Sequence, residues 1–219
     1  MPERAGLAGV WYAGRMIRNV LFDIGVVLLH IHYKAALLRI VPRCNPLRLL
    51  KLAKFLTLEE RDPIIAEYER GRATTADFFR HFVELTGYRG TQAQFVAAWR
   101  GILSANKPML EFGRELSQSY DVYLVTNTGE LQVPHIYDSF PAIRFFKDQA
   151  ASFELGEVKP DRAFYEKALA KFGITANTCL FIDDRPENIA GARACGLQSI
   201  QYTTATETIA AVRAALSDR

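Results

Sequence analysis

The sequence predicts an α/β fold: a Rossmann-like core, with a parallel sheet and helices on both faces, and an inserted helical cap. Two observations support this prediction. From about residue 106 onward, short apolar runs alternate with helical patterns, which indicates a parallel sheet with right-handed crossovers. The stretch 30–105 shows helical periodicity and no convincing strand. We therefore expect a core formed by 17–29 and 106–219, a cap at 30–105 and an N-terminal tail at 1–16.

The first strand and the cap helices follow from local signals. An apolar run at 18–23 predicts a buried strand. In the cap, Gly71 can end one helix in a left-handed turn, while Thr74 or Thr75 can begin the next and Thr91 a further one. The expected cap helices cover 33–41, 46–56, 58–70, 75–86 and 91–103.

Beyond the cap, strands and helices alternate regularly. Apolar runs bounded by turn residues predict the strands, and 3.6-residue periodicity predicts the helices. Gly196 is placed to end one of these helices. The expected strands are 121–126, 143–147, 179–183 and 198–202, and the expected helices are 108–118, 130–138, 161–173, 186–195 and 205–216.

The composition is that of an ordinary globular protein. Of 219 residues, 49% are hydrophobic and 23% are charged, enough for one substantial core. No apolar run approaches the roughly 20 residues that span a bilayer, and the N-terminus lacks the pattern of a signal peptide. The three cysteines are widely spaced and are interpreted as reduced thiols. We therefore expect a cytoplasmic monomer or homodimer without a membrane partner.

Charge is distributed unevenly along the chain. Residues 1–56 hold nine Lys or Arg against two acidic residues, a net +7, while the remainder carries −4. Such a segment can attract an anionic substrate, or can be the solvated face of a helix. Leu47, Leu50, Lys51 and Lys54 fit an amphipathic helix, for which a place in the cap core is favoured over a membrane surface. Little aromatic interleaving argues against nucleic acid as a partner.

Carboxylates follow two of the expected strands. Asp23 ends the first strand, and Asp183 and Asp184 end the strand at 179–183. The carboxyl ends of parallel strands meet at one edge of a sheet, where ligands bind. Three carboxylates close together repel each other unless a cation lies among them, and Mg²⁺ is the expected ion. A purely structural alternative is that Asp183 and Asp184 cap the helix that begins near Pro186.

A hydroxyl, an amide and a lysine complete the pattern. Thr126 and Asn127 end the strand 121–126, and Lys159 precedes Pro160 and a helix. Together with the carboxylates, they are the groups that phosphoryl transfer to an aspartate requires. In order and strand context, the motifs resemble those of the haloacid dehalogenase-like (HAD) hydrolase superfamily with a type 1 helical cap. Within it, the chain resembles the Asp-x-Gly subgroup, with its sugar-phosphate phosphatases and the phosphatase domain of epoxide hydrolases.

The resemblance implies a role for each group. Asp23 would be the nucleophile that forms an aspartyl phosphate. Thr126 and Asn127 would donate hydroxyl and backbone N–H hydrogen bonds to the phosphoryl oxygens. Lys159 would neutralise Asp23 and the phosphate.

The resemblance also implies a metal site. Mg²⁺ would be held by Asp23, by the backbone carbonyl of Gly25 and by Asp184. Asp183 would contribute through water or by holding Lys159. Asn188 would secure the loop by hydrogen bonds, or be purely structural.

Gly25 departs from the pattern of many phosphatases in this superfamily. They carry a second aspartate there, as general acid and base, and glycine cannot transfer a proton. His30, His32 or Glu69 could replace it, although most isolated histidines have no such role.

The expected function is that of a Mg²⁺-dependent phosphatase acting on a small phosphorylated metabolite, with a sugar phosphate as a candidate. A catalytically weakened member that binds a phosphorylated ligand or partner is the main alternative. A 2-haloacid dehalogenase is a weaker one, because the Asp-x-Tyr-Gly-Thr pattern of that branch is absent.

Overall fold

The computed structural model describes residues 17–48 and 62–217. The expected tail at 1–16 lies outside the described residues. So do most of the expected helix 46–56 and the first residues of the helix 58–70.

A five-stranded parallel sheet forms the centre, in the order β5-β4-β1-β6-β7. The middle strand, β1, pairs with β4 and β6, so that Phe22 lies opposite Leu124 on one side and Ile182 on the other. The expected parallel α/β core is confirmed. The strands of the sheet are β1 (Asn19–Phe22), β4 (Asp121–Thr126), β5 (Asp148–Ala151), β6 (Cys179–Asp183) and β7 (Gln198–Gln201).

Helices cover both faces of this sheet. Alternate side chains of β1 point to opposite faces, so Phe22 packs into one apolar cluster and Leu21 into another. Helices α5 (Lys107–Leu116), α6 (Gln132–Ser139) and α10 (Ala205–Ser217) contribute to the Phe22 cluster. The Leu21 cluster takes side chains from α8 (Arg162–Phe172) and α9 (Pro186–Ala194).

A third apolar cluster lies in the region expected to be the cap. Its helices are α1 (Tyr33–Ile40), α2 (Pro63–Glu69), α3 (Thr75–Thr86) and α4 (Gln92–Arg100). Its packing is strongly aromatic: the Phe82 and Phe95 rings lie 4.7 Å apart. As expected, Thr74 and Thr91 begin helices, each through a capping box, and Gly71 is left-handed at φ 69°.

A short antiparallel ribbon, which the sequence did not predict, joins the two parts. Strands β2 (Leu29–Ile31) and β3 (Leu103–Ala105) pair with each other, with His30 opposite Ser104. The expectation of a stretch 30–105 without strands was therefore wrong. Three residues are too few to show an alternating pattern, and each strand is held by a partner more than 70 positions away.

The expected strand at 143–147 was also wrong. Residues 141–143 form a 3-10 turn, and the strand β5 begins only at Asp148. The apolar signal came from Phe146, whose ring packs edge-to-face on Phe22 in the core with centroids 5.7 Å apart. A short helix, α7 (Ser152–Leu155), follows β5 and was not predicted.

Within the described part of the chain, no helix is long and apolar enough to cross a membrane. The three cysteines, Cys44, Cys179 and Cys195, are free thiols.

Candidate active site

The pairing of β1 with β6 brings the predicted carboxylates to one edge of the sheet. Asp23 directly follows β1, and its backbone N–H donates to Ile182 O at 2.9 Å. Asp183 is the last residue of β6. The register thus places Asp23 level with Asp183, and both side chains are buried. Asp184 follows and is half-buried.

Lys159 joins these carboxylates. Its ammonium donates to Asp23 Oδ1 at 2.8 Å, to Asp183 Oδ2 at 2.6 Å and to Val125 O at 3.0 Å. The side chain is almost completely buried, at 1% exposed. Three acceptors satisfy the three donors of an ammonium group, so its position is fixed.

Asn127 holds the lysine in place. Its side-chain amide donates to Lys159 O and accepts from Lys159 N, both at 2.8 Å. The predicted role of Asn127 in phosphate binding concerns its backbone N–H. This N–H lies in the loop after β4 and takes no part in the side-chain contacts with Lys159. Thr126, the last residue of β4, is buried one residue beyond Val125, whose carbonyl accepts from Lys159.

Asp183 is held from two sides. Asn188 Nδ2 donates to both of its oxygens, at 2.9 and 3.1 Å, and Arg185 N donates to Oδ1 at 2.9 Å. Asn188 is itself fixed by Tyr165, whose hydroxyl donates to its carbonyl at 2.7 Å. This arrangement makes Asp183 an anchor for Lys159 and gives Asn188 the loop-securing contact that the sequence suggested.

Burial dominates the electrostatics of the site. Loss of hydration raises the pKa of Asp23 to about 7; Lys159 opposes this rise, while Asp183 and Asp184 add to it. Burial also raises the pKa of Asp184, with a further rise from Asp183. For Lys159, burial lowers the pKa, but Asp23 and Asp183 outweigh it and leave a net rise. With three carboxylates and one lysine, the site has less positive than negative charge when all four groups are ionised.

The donor set fits a hard divalent cation. Within the described residues, no cluster of three or more His, Cys, Asp or Glu side chains forms a ready-made metal cage. Mg²⁺ requires only one or two carboxylates, and waters complete its shell. Asp23, Asp184 and the carbonyl of Gly25 are the groups that could hold such an ion, and a cation there would supply positive charge. Because its carboxylate already accepts from Lys159, Asn188 and Arg185, Asp183 is better placed beside the ion than on it.

Gly25 borders Asp23. A Cβ at this position would lie 3.7 Å from Asp23 Oδ2, the carboxylate oxygen opposite the one that Lys159 binds. The candidate proton donors lie on the β2–β3 ribbon and in the cap. His30 and His32 are exposed on and just after β2, and His32 Nε2 lies 2.7 Å from Ser104 Oγ. Glu69 ends the cap helix α2.

The cap rests on the loops beside this site. The Tyr68 hydroxyl accepts from Leu131 N at 3.2 Å, and its ring lies where a Cβ at Gly129 would be, 2.0 Å from Cε1. Arg70 binds Asp161 at 2.9 Å, close to Lys159 in sequence. The turn around Gly71 thus faces the core.

Sequence reasoning missed two contributors to the site. Tyr165 supports Asn188 from α8, and the buried Ser152 hydroxyl bridges the backbone of Thr128, accepting from its N–H at 2.9 Å and donating to its carbonyl at 3.0 Å. Both residues lie in helices, where a tyrosine or serine gives no local signal of this role.

Comparisons with known proteins agree with this geometry. The family model described as haloacid dehalogenase-like hydrolase matches residues 17–196. A sesquiterpene phosphatase, astK, of Aspergillus oryzae is 28% identical over 151 residues, covering 67% of this chain and 76% of the relative. A drimenol cyclase, drtB, of Aspergillus calidoustus is 24% identical over 193 residues; they are 85% of this chain but about a third, 34%, of the cyclase.

Solved structures show the same fold. A HAD family enzyme of Bacteroides thetaiotaomicron, in complex with magnesium and inorganic phosphate, superposes with a TM-score of 0.74 at 23% identity, covering 85% of this chain and 94% of that one. A predicted HAD-like hydrolase of Porphyromonas gingivalis gives a TM-score of 0.77 at 24% identity and covers 93% and 100%.

The match spans all four predicted motifs. Only the C-terminal strand and helix lie beyond it. The strand-end carboxylates and the buried lysine stand where the sequence placed them. The chain therefore belongs to the haloacid dehalogenase-like hydrolases.

Proposed function

We propose that this protein is a Mg²⁺-dependent phosphatase that hydrolyses a small phosphorylated metabolite through an aspartyl phosphate on Asp23. The observation that carries the proposal is the position of Lys159. It holds Oδ1 of Asp23 at 2.8 Å, so that Oδ2, which faces the Gly25 side, is the oxygen that Lys159 does not bind. A carboxylate fixed in this way can attack through Oδ2.

The proposed reaction has two steps. Oδ2 of Asp23 forms a bond to phosphorus, the ester P–O bond breaks, and the alcohol leaves with a proton from water. Water then attacks the aspartyl phosphate, which releases inorganic phosphate and restores Asp23. A bound Mg²⁺ would neutralise phosphoryl charge during both steps. Lys159 supplies fixed positive charge, and the loop of Thr126 and Asn127 supplies donors.

Two classes of substrate are candidates. A sugar phosphate was expected from the Asp-x-Gly resemblance. The name of the sesquiterpene phosphatase relative adds the phosphate of an apolar terpenoid alcohol. Because glycine at position 25 cannot deliver a proton, we expect the reaction rate to depend steeply on leaving-group pKa. Anomeric sugar phosphates and aryl phosphates would then react faster than simple alkyl phosphates.

A phosphate-release screen with and without Mg²⁺ tests the proposal. Wild-type protein should release phosphate from members of a phosphate ester panel, lose activity in EDTA and regain it with Mg²⁺. Asp23→Asn should abolish turnover without unfolding the chain. The matched control is Asp121→Asn, since Asp121 is half-exposed at the opposite end of β4 and its side chain pairs with the surface residue Lys147. Full activity in metal-free buffer, or near wild-type turnover in Asp23→Asn, would contradict the mechanism.

The same material separates the alternatives. A non-catalytic member would bind inorganic phosphate with Mg²⁺ but release none from esters. A dehalogenase would release halide from 2-haloacids without added metal. A flat dependence on leaving-group pKa, with chemistry rate-limiting, would show that a proton donor is present, and His30, His32 and Glu69 would be the first to test.

A further inference from the structure

An apolar side chain lies close to Gly25, the residue that borders Asp23. A Cβ at Gly25 would lie only 3.1 Å from Ile31 Cδ1, closer than ordinary contact, and 3.7 Å from Asp23 Oδ2. Ile31 Cδ1 and Asp23 Oδ2, the oxygen that Lys159 does not bind, are therefore less than 7 Å apart, close enough for both to contact one bound ester.

Ile31 is fixed in this place by its strand. It pairs with Leu103 across the β2–β3 ribbon and packs against the apolar cluster of the cap. Its side chain is therefore held close both to Gly25 and to the apolar cluster of the cap.

In-line transfer places the leaving group on the same side. The attacking and leaving oxygens lie on opposite sides of phosphorus, so an alcohol displaced by Asp23 departs away from the sheet and toward the cap. Ile31 is an apolar side chain on that side, because it packs against the cap cluster and lies close to Gly25. A polar alcohol would lose hydration against it without gaining a hydrogen bond.

A second apolar side chain stands beside Gly25. Val26 has φ 63°, a left-handed conformation that costs a β-branched residue about 1–3 kcal/mol. Its backbone N–H donates to Leu29 O at 2.8 Å, which holds the turn. The residue is still 38% exposed, so part of this apolar group is open to a ligand. An exposed apolar group held in a strained turn three residues after Asp23 suits contact with a ligand.

We propose that Ile31 forms an apolar leaving-group subsite beside Asp23, and that the substrate is a phosphate monoester of an apolar alcohol. The inference rests on the proposed phosphatase function. It assigns selectivity to the β2–β3 ribbon, outside the motifs that carry the chemistry.

The test uses hexyl phosphate and glycerol 3-phosphate, two primary alkyl esters that differ mainly in the polarity of the alcohol. Wild-type protein should prefer hexyl phosphate in kcat/KM by about tenfold or more, the scale of a few apolar contacts. Ile31→Thr, which removes Cδ1 and adds a hydroxyl, should reduce this preference by about tenfold. Ile31→Val, which removes only the terminal methyl group, should reduce it less. Urea unfolding establishes that both variants are folded.

Binding measured in an Asp23→Asn background keeps this inference separate from the proposed function. There, calorimetry should show tighter binding of hexyl phosphate than of glycerol 3-phosphate, and Ile31→Thr should remove the difference. If this binding preference depends on Ile31 but wild type shows no turnover, the phosphatase proposal fails and the apolar subsite stands. No preference for hexyl phosphate in binding and turnover, or an equal effect of Ile31→Thr on both esters, would overturn the subsite.

Discussion

The sheet edge and the cap are built from different interactions. At the sheet edge, buried polar groups hold each other: Lys159 has three acceptors, and the carboxylate of Asp183 has three donor groups. The cap is held by aromatic packing, with Phe78, Phe82 and Phe95 in one cluster. Many of its polar contacts with the core are more exposed, such as those of Arg70 with Asp161 and of Thr75 with Glu130.

The difference separates two tasks. A buried polar network has one low-energy arrangement, because each lost hydrogen bond leaves a group unsatisfied. It suits chemistry that requires fixed atoms. Apolar packing tolerates changes of shape if volume is kept, so the cap and its ribbon can differ in selectivity while the sheet edge is unchanged. The predictions below test this separation.

The largest effect is expected at Lys159. Lys159→Met leaves two buried carboxylates without their cation, so the free energy of unfolding should fall by about 3–5 kcal/mol. Turnover should fall by about a thousandfold or more. Urea unfolding and single-turnover assays measure the two losses. Lys147→Met is the control: its exposed pair with Asp121 should contribute less than about 1 kcal/mol. Equal effects of the two substitutions would show that the network does not fix the site.

The second prediction concerns pH. Because burial raises the pKa of Asp23 from 3.8 to about 7, folding favours its protonated form. This contribution to stability is complete below about pH 4 and is lost as pH rises through about 7. In EDTA, the free energy of unfolding of Asp23→Asn relative to that of wild type should therefore increase between pH 5 and pH 8, by about 1–4 kcal/mol. Unfolding of both proteins at the two pH values measures it. A difference that does not change with pH would contradict the raised pKa.

The third prediction concerns the contact between the core and the cap. Gly129→Ala would place a Cβ 2.0 Å from the ring of Tyr68, so the cap must shift. We expect a loss of about 1–3 kcal/mol in stability and a raised KM. Adding Tyr68→Leu should restore much of the KM, and the double-mutant cycle gives the coupling energy. Additive effects would mean that this contact does not position the cap.

The smallest effect is expected at Arg70. Its pair with Asp161 is partly exposed, with side chains 23% and 48% accessible, so Arg70→Ala should cost less than about 1 kcal/mol and less again in high salt. Because the pair joins cap and core, KM should rise while kcat changes little. Arg80→Ala breaks a pair within the cap, with Asp77, and should leave KM unchanged. An equal change of KM in both variants would show that the pair between cap and core has no special role.

Much of the sheet edge could be predicted from sequence. The strands β4 and β6 have the predicted bounds, because a strand buried on both faces contains a continuous apolar run. The polar residues that interrupt each run mark the edge at which ligands bind. Asp23 and Asp183 could be placed there because parallel strands end together, whereas Lys159 was placed there by the family resemblance.

The remaining features depended on residues far apart in the chain. Strands β2 and β3 are too short for a pattern of their own. Strand β5 begins at the polar residue Asp148, whereas the aromatic residue Phe146 that suggested an earlier strand packs in the core. Tyr165 joined the site through a helix packed on the sheet.

By itself, the sequence determined the α/β class, the order of the motifs and the residue types at the sheet edge, because hydrophobic periodicity and chain direction are local properties. Only the tertiary structure decided which oxygen of Asp23 Lys159 binds, and that Ile31 lies beside Gly25. Those contacts form between segments whose approach is set by the packing of the whole chain, and no local pattern encodes them.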